Sequence, residues 1–305
     1  MTSNSYHIPV LLHAAVNGLN INPLGTYVDV TFGGGGHSRA ILDKLDGGKL
    51  FAFDQDTDAS ANVLQHPSLI FIRQNFRYLR NYLRLHGADF IDGLLADLGV
   101  SSHQFDDAQR GFSIRYDARL DMRMNPDVPN DAYNVVNTYE EKKLADVFYF
   151  YGELRNARQL AAHLCNVRSD RKIETTGQLK EVFKNFTPRG KEAGFYAQLF
   201  QALRIEVNAE LDVLKEMLMQ TIQVIKPGGR LVVISYHSLE DRLVKNFIRT
   251  GNFEGEQQKD FFGNIKRPFV EINKKPIVPD EEEINMNPRA RSAKLRIAER
   301  TDEQV

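Results

Sequence analysis

One cysteine, Cys165, occurs in 305 residues, so the chain has no internal disulfide and no thiolate cluster for zinc. A reducing compartment is the natural setting. H-E-x-x-H and Cys/His metal spacings are absent as well, and no metal is expected. No apolar run approaches the ~20 residues needed to span a bilayer, and the amino end, MTSNSYHIPVLL, lacks a basic start leading into a long apolar stretch. The expectation is a soluble cytoplasmic protein with no membrane partner. The net charge of −1 excludes a globally basic nucleic-acid coat but not a local basic patch. Internal repeats and low-complexity tracts are lacking, and the acidic run Asp280 to Glu283 reads as a solvated loop. What remains is ample for an enzyme, because 42% hydrophobic content over this length can bury a full core.

Apolar runs in the first third read as strands at Tyr27 to Val30, Leu50 to Phe53, Leu69 to Ile72 and Ile91 to Leu98. Helices starting near Ser38, Thr57 and Phe76 separate them, which predicts an α/β fold with a parallel sheet. After about Gly111 the rhythm changes to consecutive helices, Glu140 to Tyr151, Leu154 to Val167 and Thr176 to Phe186. These read as a helical insert. The sheet pattern then resumes with one long helix, Tyr196 to Ile225, stopped by Pro227-Gly228-Gly229, and a strand, Leu231 to Tyr236. The expected division is 1–108 and 195–305 for the interrupted sheet domain and 109–194 for the insert.

The most informative stretch is Asp29-Val-Thr-Phe-Gly-Gly-Gly-Gly-His-Ser38. A strand, a glycine turn and a helix start form a cofactor cradle, because Gly33 to Gly36 let backbone N–H groups approach a ligand and the helix end adds positive potential. A dinucleotide fingerprint wants a third glycine where this chain has Ser38. That weakens a nicotinamide reading. Asp54 closes the second strand about 20 residues on, the place for a carboxylate that accepts ribose hydroxyls. Adenosine-type cofactors, S-adenosylmethionine among them, satisfy both features; otherwise Asp54 caps the following helix with Asp56 and the glycines make only a turn. Asp97 ends the fourth strand, where ligands of open α/β sheets bind, although Gly99 and Ser101 also permit a simple Asx-turn.

Taken together, TFGGGGHS, LLADLGVSS with QFDDAQRGFS, RLDMRM, FQALRIEVNAEL, GGRLVVISYHSLEDRLVK and NPRARSAKLRIAER, in this order from His7 to Arg300, resemble the RsmH/MraW bacterial methyltransferases. The resemblance implies a Rossmann-like, S-adenosylmethionine-dependent methyltransferase sheet with an inserted helical domain. It implies methylation of the 4-amino group of a cytosine in the decoding region of small-subunit (16S) ribosomal RNA, in the assembled or assembling 30S subunit or as free RNA. A homodimer stays open. The implied cofactor site comprises Gly35, Gly36 and His37 in the loop, Asp54 on the ribose, and Phe76, Asp97 and Gln104. Read without the family, Phe76 is a core aromatic, Gln104 a solvated loop amide and His37 a helix-start residue. The chain departs from the family pattern at His103 (usually proline), Ala14 (often glutamate), Ala118-Arg119 (often Gly-Pro) and Gln198-Leu199 (usually Arg-Thr).

A cytosine amino group is a poor nucleophile because its lone pair is delocalised, so the protein must supply alignment and an acceptor that localises it. Asp97 is the chosen acceptor. The target base must be unstacked to enter such a pocket. Tyr236 and His237 are candidates for holding it, and Ser238 with Asp241 has capping-box spacing. Arg289 and Arg291, continuing to Lys294 and Arg296, form one basic cluster and Arg110, Arg115, Arg119 and Arg123 another; either suits phosphates or is a solvated face. Two alternatives remain open. A nicotinamide-dependent oxidoreductase would bind that nucleotide and no S-adenosylmethionine, and an idle RNA-binding assembly factor would leave no methyl on its RNA.

Overall fold

A computed structural model describes residues 9–259, 263 and 266–303; His7, where the family resemblance starts, lies outside them. Seven strands pair among the described residues: β1 (Thr26–Asp29), β2 (Lys49–Phe53), β3 (Leu69–Ile72), β4 (Ile91–Asp97), β5 (Ile225–Ser235), β6 (Phe269–Glu271) and β7 (Lys294–Arg300). Their order is β3-β2-β1-β4-β5-β7-β6. β1 to β5 run parallel, whereas β7 pairs antiparallel with both β5 and β6. The sheet is therefore mixed rather than wholly parallel. The stretch expected to be a basic tail supplies the antiparallel strand, because Leu295, Ile297 and Ala298 bury apolar side chains between charged neighbours.

Chain order reverses between β1 and β4, so their carboxyl ends open the crevice where ligands of such sheets bind. The inner strands are apolar on both faces, as burial beneath helices on each side demands: Leu50, Phe51, Ala52 and Phe53 of β2 and Leu94, Leu95 and Ala96 of β4 are all fully buried.

Contacts divide the chain into two units, 1–99 with 211–305, and 100–210. The sequence placed the boundaries at 108/109 and 194/195. Both boundaries differ, the first by nine residues, and the second because the helix Glu192–Asn208 buries Phe195, Leu199, Phe200, Ala202 and Leu203 in the insert's own core, with Leu144, Phe148, Leu160, Leu164 and Phe183. The expected single helix 196–225 is two, Glu192–Asn208 and Glu210–Val224. Ala209 breaks it at φ 49. Asn208 holds the break by donating to the carbonyls of Met122 and Arg204 at 2.7 and 2.9 Å and accepting the Met124 N–H at 2.7 Å. The second helix stops at Val224, before Pro227, and Pro227-Gly228-Gly229 instead lie within β5, opposite a register shift between Ile91 and Gly93. In the insert the expected helices occur as Glu141–Phe150, Ala157–Asp170 and Thr176–Val182, joined by the unforeseen Ser102–Asp106 and Ala132–Thr138. The helix expected near Thr57 is only a 3-10 turn, Asp58–Asn62. No helix among the described residues is long and apolar enough to cross a membrane.

Candidate functional site

Four carboxyl-terminal strand ends of the sheet unit carry the site. After β1 the chain turns through Gly33 (φ 51) and Gly35 (φ 75) into the helix Gly36–Leu42. A Cβ at Gly35 would stand 2.9 Å from the Phe32 ring, and one at Gly36 would stand 2.1 Å from Pro9 Cγ. Both conformation and space therefore require glycine at 35. At Gly33 the added Cβ would meet nothing nearer than 3.9 Å, so this side of the loop is open to a neighbour.

Asp54, just past β2, holds that loop by accepting the Gly33 N–H at 2.7 Å on Oδ2 and the Asp56 N–H at 2.8 Å on Oδ1. Each oxygen keeps a lone pair, so the carboxylate can still accept hydroxyl groups. Burial pushes its pKa up to about 6, with the two N–H bonds opposing the rise.

Below the loop, Asp29 is fully buried and its carboxyl is also raised by burial, against the pull of His37. Asp29 accepts Ser38 Oγ at 2.7 Å, the Thr31 N–H at 3.0 Å and Thr31 Oγ1 at 3.3 Å. Thr31 Oγ1 in turn accepts the Asp97 N–H at 2.7 Å. This chain of bonds ties the end of β1 to the end of β4.

Asp97 is the convergence point. Its carboxylate, 22% exposed, accepts the Tyr236 hydroxyl at 2.7 Å on Oδ1 and faces His37 Nδ1 at 3.8 Å from Oδ2. Burial raises its pKa to about 6; His37 and the Tyr236 hydrogen bond pull the other way, while Asp29 and Glu240 add to the rise. Tyr236 is held well above the usual phenol range by burial and by the Asp97 charge, so it is a hydrogen-bond donor. A carboxylate with its pKa raised to about 6, an edge open to solvent and one oxygen held by the Tyr236 hydroxyl is equipped to take a proton on the other.

The structure thus brings together Gly35, Gly36, His37, Asp54, Asp97 and Tyr236 within one unit. Phe76 begins a 3-10 turn, Phe76–Tyr78, and packs partly buried against the sheet core. Gln104 lies in the other unit and is no solvated loop amide. At 4% exposure it closes a capping box with Ser101, accepting the Ser101 N–H at 3.0 Å while its own N–H donates to Ser101 Oγ at 3.2 Å. His237 is likewise a cap. The capping box of the helix Ser238–Thr250 is His237 with Glu240, one residue earlier than the expected Ser238 and Asp241, and Asp241 instead accepts Arg296 Nε at 2.7 Å. His237 Nε2 stands 3.1 Å from Glu240 Oε1.

Arg289 and Arg291 are exposed on the 3-10 turn Pro288–Ser292, just before β7, whose first residue pairs with Ser235 beside Tyr236. Of the other cluster, Arg123 is spent on Asp121 and the carbonyls of Pro126 and Val128, and Arg110 donates to the carbonyls of Arg123 and Met124. These two secure a loop; Arg115 and Arg119 are exposed, Arg119 with Nη2 bonded to Asp131 at 2.8 Å. The residues missed from sequence are Thr31 and Glu240. The Asp29-x-Thr31 spacing, one typical of Asx turns, was the available signal for the first.

The chain matches the MraW methylase family over residues 4–301. It is 59% identical over 297 residues to the ribosomal RNA small subunit methyltransferase H of Bacteroides fragilis, covering 97% of this chain and 98% of that one. To the protein of the same name from Parabacteroides distasonis it is 60% identical, covering 97% of each. An rRNA methylase of known structure from Streptococcus thermophilus is 13% identical, with a TM-score of 0.45 and coverage of 97% of this chain and 99% of that one. The open glycine turn and the partly exposed Asp54 fit a ribose-bearing cofactor. By this match along almost its whole length, and by relatives close to 60% identical, the chain belongs to the MraW methylase family and takes S-adenosylmethionine as its cofactor.

Proposed function

We propose that the protein methylates the exocyclic 4-amino nitrogen of a cytosine in the decoding region of small-subunit ribosomal RNA, with Asp97 as the proton acceptor. The observation that carries this reading is Asp97 at the end of β4, its carboxylate accepting the Tyr236 hydroxyl and its backbone N–H held by Thr31 Oγ1, with its pKa raised to about 6 by burial. The names of the relatives support the RNA as substrate.

When bound, S-adenosylmethionine supplies an electrophilic sulfonium methyl group. Gly35, Gly36, His37, Asp54 and Phe76 would hold it, Asp54 by accepting ribose hydroxyls and Phe76 by offering a ring face. Asp97 accepts an N–H of the cytosine amino group, which localises the lone pair on that nitrogen and makes it the nucleophile. The amino proton would pass to the carboxylate during methyl transfer, with S-adenosylhomocysteine as the leaving group, and from the carboxylate to water. Tyr236, donating to Oδ1, aims the other oxygen and moderates its basicity. Orientation supplies much of the rate, because a flipped base and a fixed acceptor meet without diffusional search. Arg289 and Arg291 are the proposed phosphate contacts in the sheet unit, and the 100–210 unit supplies further RNA contacts.

The test is incubation of the purified protein with small-subunit RNA, and separately with assembled subunits, in the presence of methyl-labelled S-adenosylmethionine, followed by nucleoside mass spectrometry. Label in N4-methylcytidine supports the reading. Label on another base or ring position contradicts it.

A further inference from the structure

The 100–210 unit contains a cavity of about 420 Å³ lined by Arg119, Tyr133, Glu174 and Thr175, which the cofactor site does not use. We infer that it is a guanine-binding pocket that reads a base of the RNA other than the one methylated, an inference that rests on the RNA substrate proposed above.

The walls are rigidly built. Segments 118–120 and 174–176 form a short antiparallel clip, with Arg119 opposite Thr175. The Leu120 N–H donates to the Glu174 carbonyl at 2.9 Å and the Thr176 N–H to the Ala118 carbonyl at 2.8 Å. The Tyr133 N–H donates to the Leu120 carbonyl at 2.7 Å, which fixes the aromatic residue against the same clip. Arg119, although 65% exposed, is steadied by a 2.8 Å bond from Nη2 to buried Asp131. That bond takes one of the five guanidinium N–H donors. The Glu174 carboxylate is exposed at the rim, and only its backbone is engaged in the clip.

These groups match one base better than the others. A carboxylate binds two adjacent N–H donors with both oxygens, and guanine alone offers such an edge in N1–H and the N2 amino group. Adenine and cytosine each place a ring acceptor beside the amino group, and uracil has a single N–H between two carbonyls. Arg119 can donate to O6 or N7, and Tyr133 offers a ring for stacking, the usual way proteins hold splayed RNA bases. A cavity of this size admits a purine with water to spare.

The experiment uses the full chain with the cofactor site saturated by S-adenosylhomocysteine, so that nucleotides report on the second site. Binding of guanosine, inosine and adenosine 5′-monophosphates is followed by ligand-observed NMR titration, for wild type and Glu174→Gln. Wild type should favour the guanosine over the inosine nucleotide about tenfold, since inosine lacks the N2 amino group. Glu174→Gln should abolish that preference while retaining S-adenosylhomocysteine affinity, and in RNA methylation it should raise KM with kcat kept. Equal binding of the guanosine and inosine nucleotides by wild type, or a preference that survives Glu174→Gln, overturns the pocket. Absence of RNA methylation by wild type would overturn the substrate reading instead, and the nucleotide titration is read independently of it.

Discussion

His37 Nδ1 lies 3.8 Å from Asp97 Oδ2, while Nε2 of the same ring lies 3.1 Å from the Val10 carbonyl oxygen. A carbonyl only accepts, so Nε2 carries a proton and a neutral ring turns the Nδ1 lone pair toward the carboxylate. The two groups attract only when a further proton sits between them, on Nδ1 or on Asp97.

Two opposite effects are expected of Asp97→Asn. Methyl transfer should fall by at least ~100-fold through loss of the acceptor. Stability should rise at pH 8, on the following ground. A carboxyl raised to about 6 in the folded chain binds protons there more readily than in the unfolded chain. Its charged form thus costs stability above pH 6, on the order of 3 kcal/mol, and the cost fades as pH falls from 6 toward 4. Thermal melts should place the variant several degrees above wild type at pH 8 and level with it at pH 4. Near wild-type turnover would move the acceptor role elsewhere.

Tyr236→Phe removes the hydroxyl donated to Asp97 Oδ1. That bond lowers the Asp97 pKa, so the acidic limb of the kcat profile should move to higher pH, with kcat at pH 7 reduced about tenfold. A profile unmoved along pH would leave Tyr236 as a packing residue only.

Asp54→Ala should weaken S-adenosylmethionine binding by about 1.5–3 kcal/mol in calorimetry, through loss of a charged acceptor. In wild type, affinity should fall as pH drops through about 6, where Asp54 takes up its proton. Affinity indifferent to both changes would remove Asp54 from the site.

Deleting the insert tests the division of labour. A cut at 112–190 would strip the helix Glu192–Asn208 of the core its phenylalanines fill, so the deletion should span residues 101–209 behind a Gly/Ser linker. Cofactor binding by calorimetry should persist and RNA methylation should vanish. A folded deletion protein that still methylates RNA would assign the insert another purpose.

Much of the site was legible because strand ends announce themselves. Asp54 and Asp97 each close an apolar run, and the glycines between Phe32 and His37 fit only a turn. What connects these residues was not legible, since the Tyr236 hydroxyl reaches Asp97 across 139 positions of sequence and nothing local to Tyr236 signals it. Gln104 and His237 are ambiguous in sequence because a polar side chain near a helix start suits capping and ligand binding equally well. The break at Ala209 escaped notice for a similar reason. Alanine favours helix, and the bonds of Asn208 to the 122–124 segment override that preference.

The central claim, that Asp97 accepts a proton from a cytosine amino group of small-subunit RNA, is tested most directly by nucleoside mass spectrometry of that RNA from a strain lacking this gene, complemented with wild type or with Asp97→Asn. Loss of one cytosine N4-methyl in the decoding region, restored by wild type and not by the folded variant, is the predicted result. An unchanged methylation pattern in the deletion strain, or full restoration by Asp97→Asn, would contradict it.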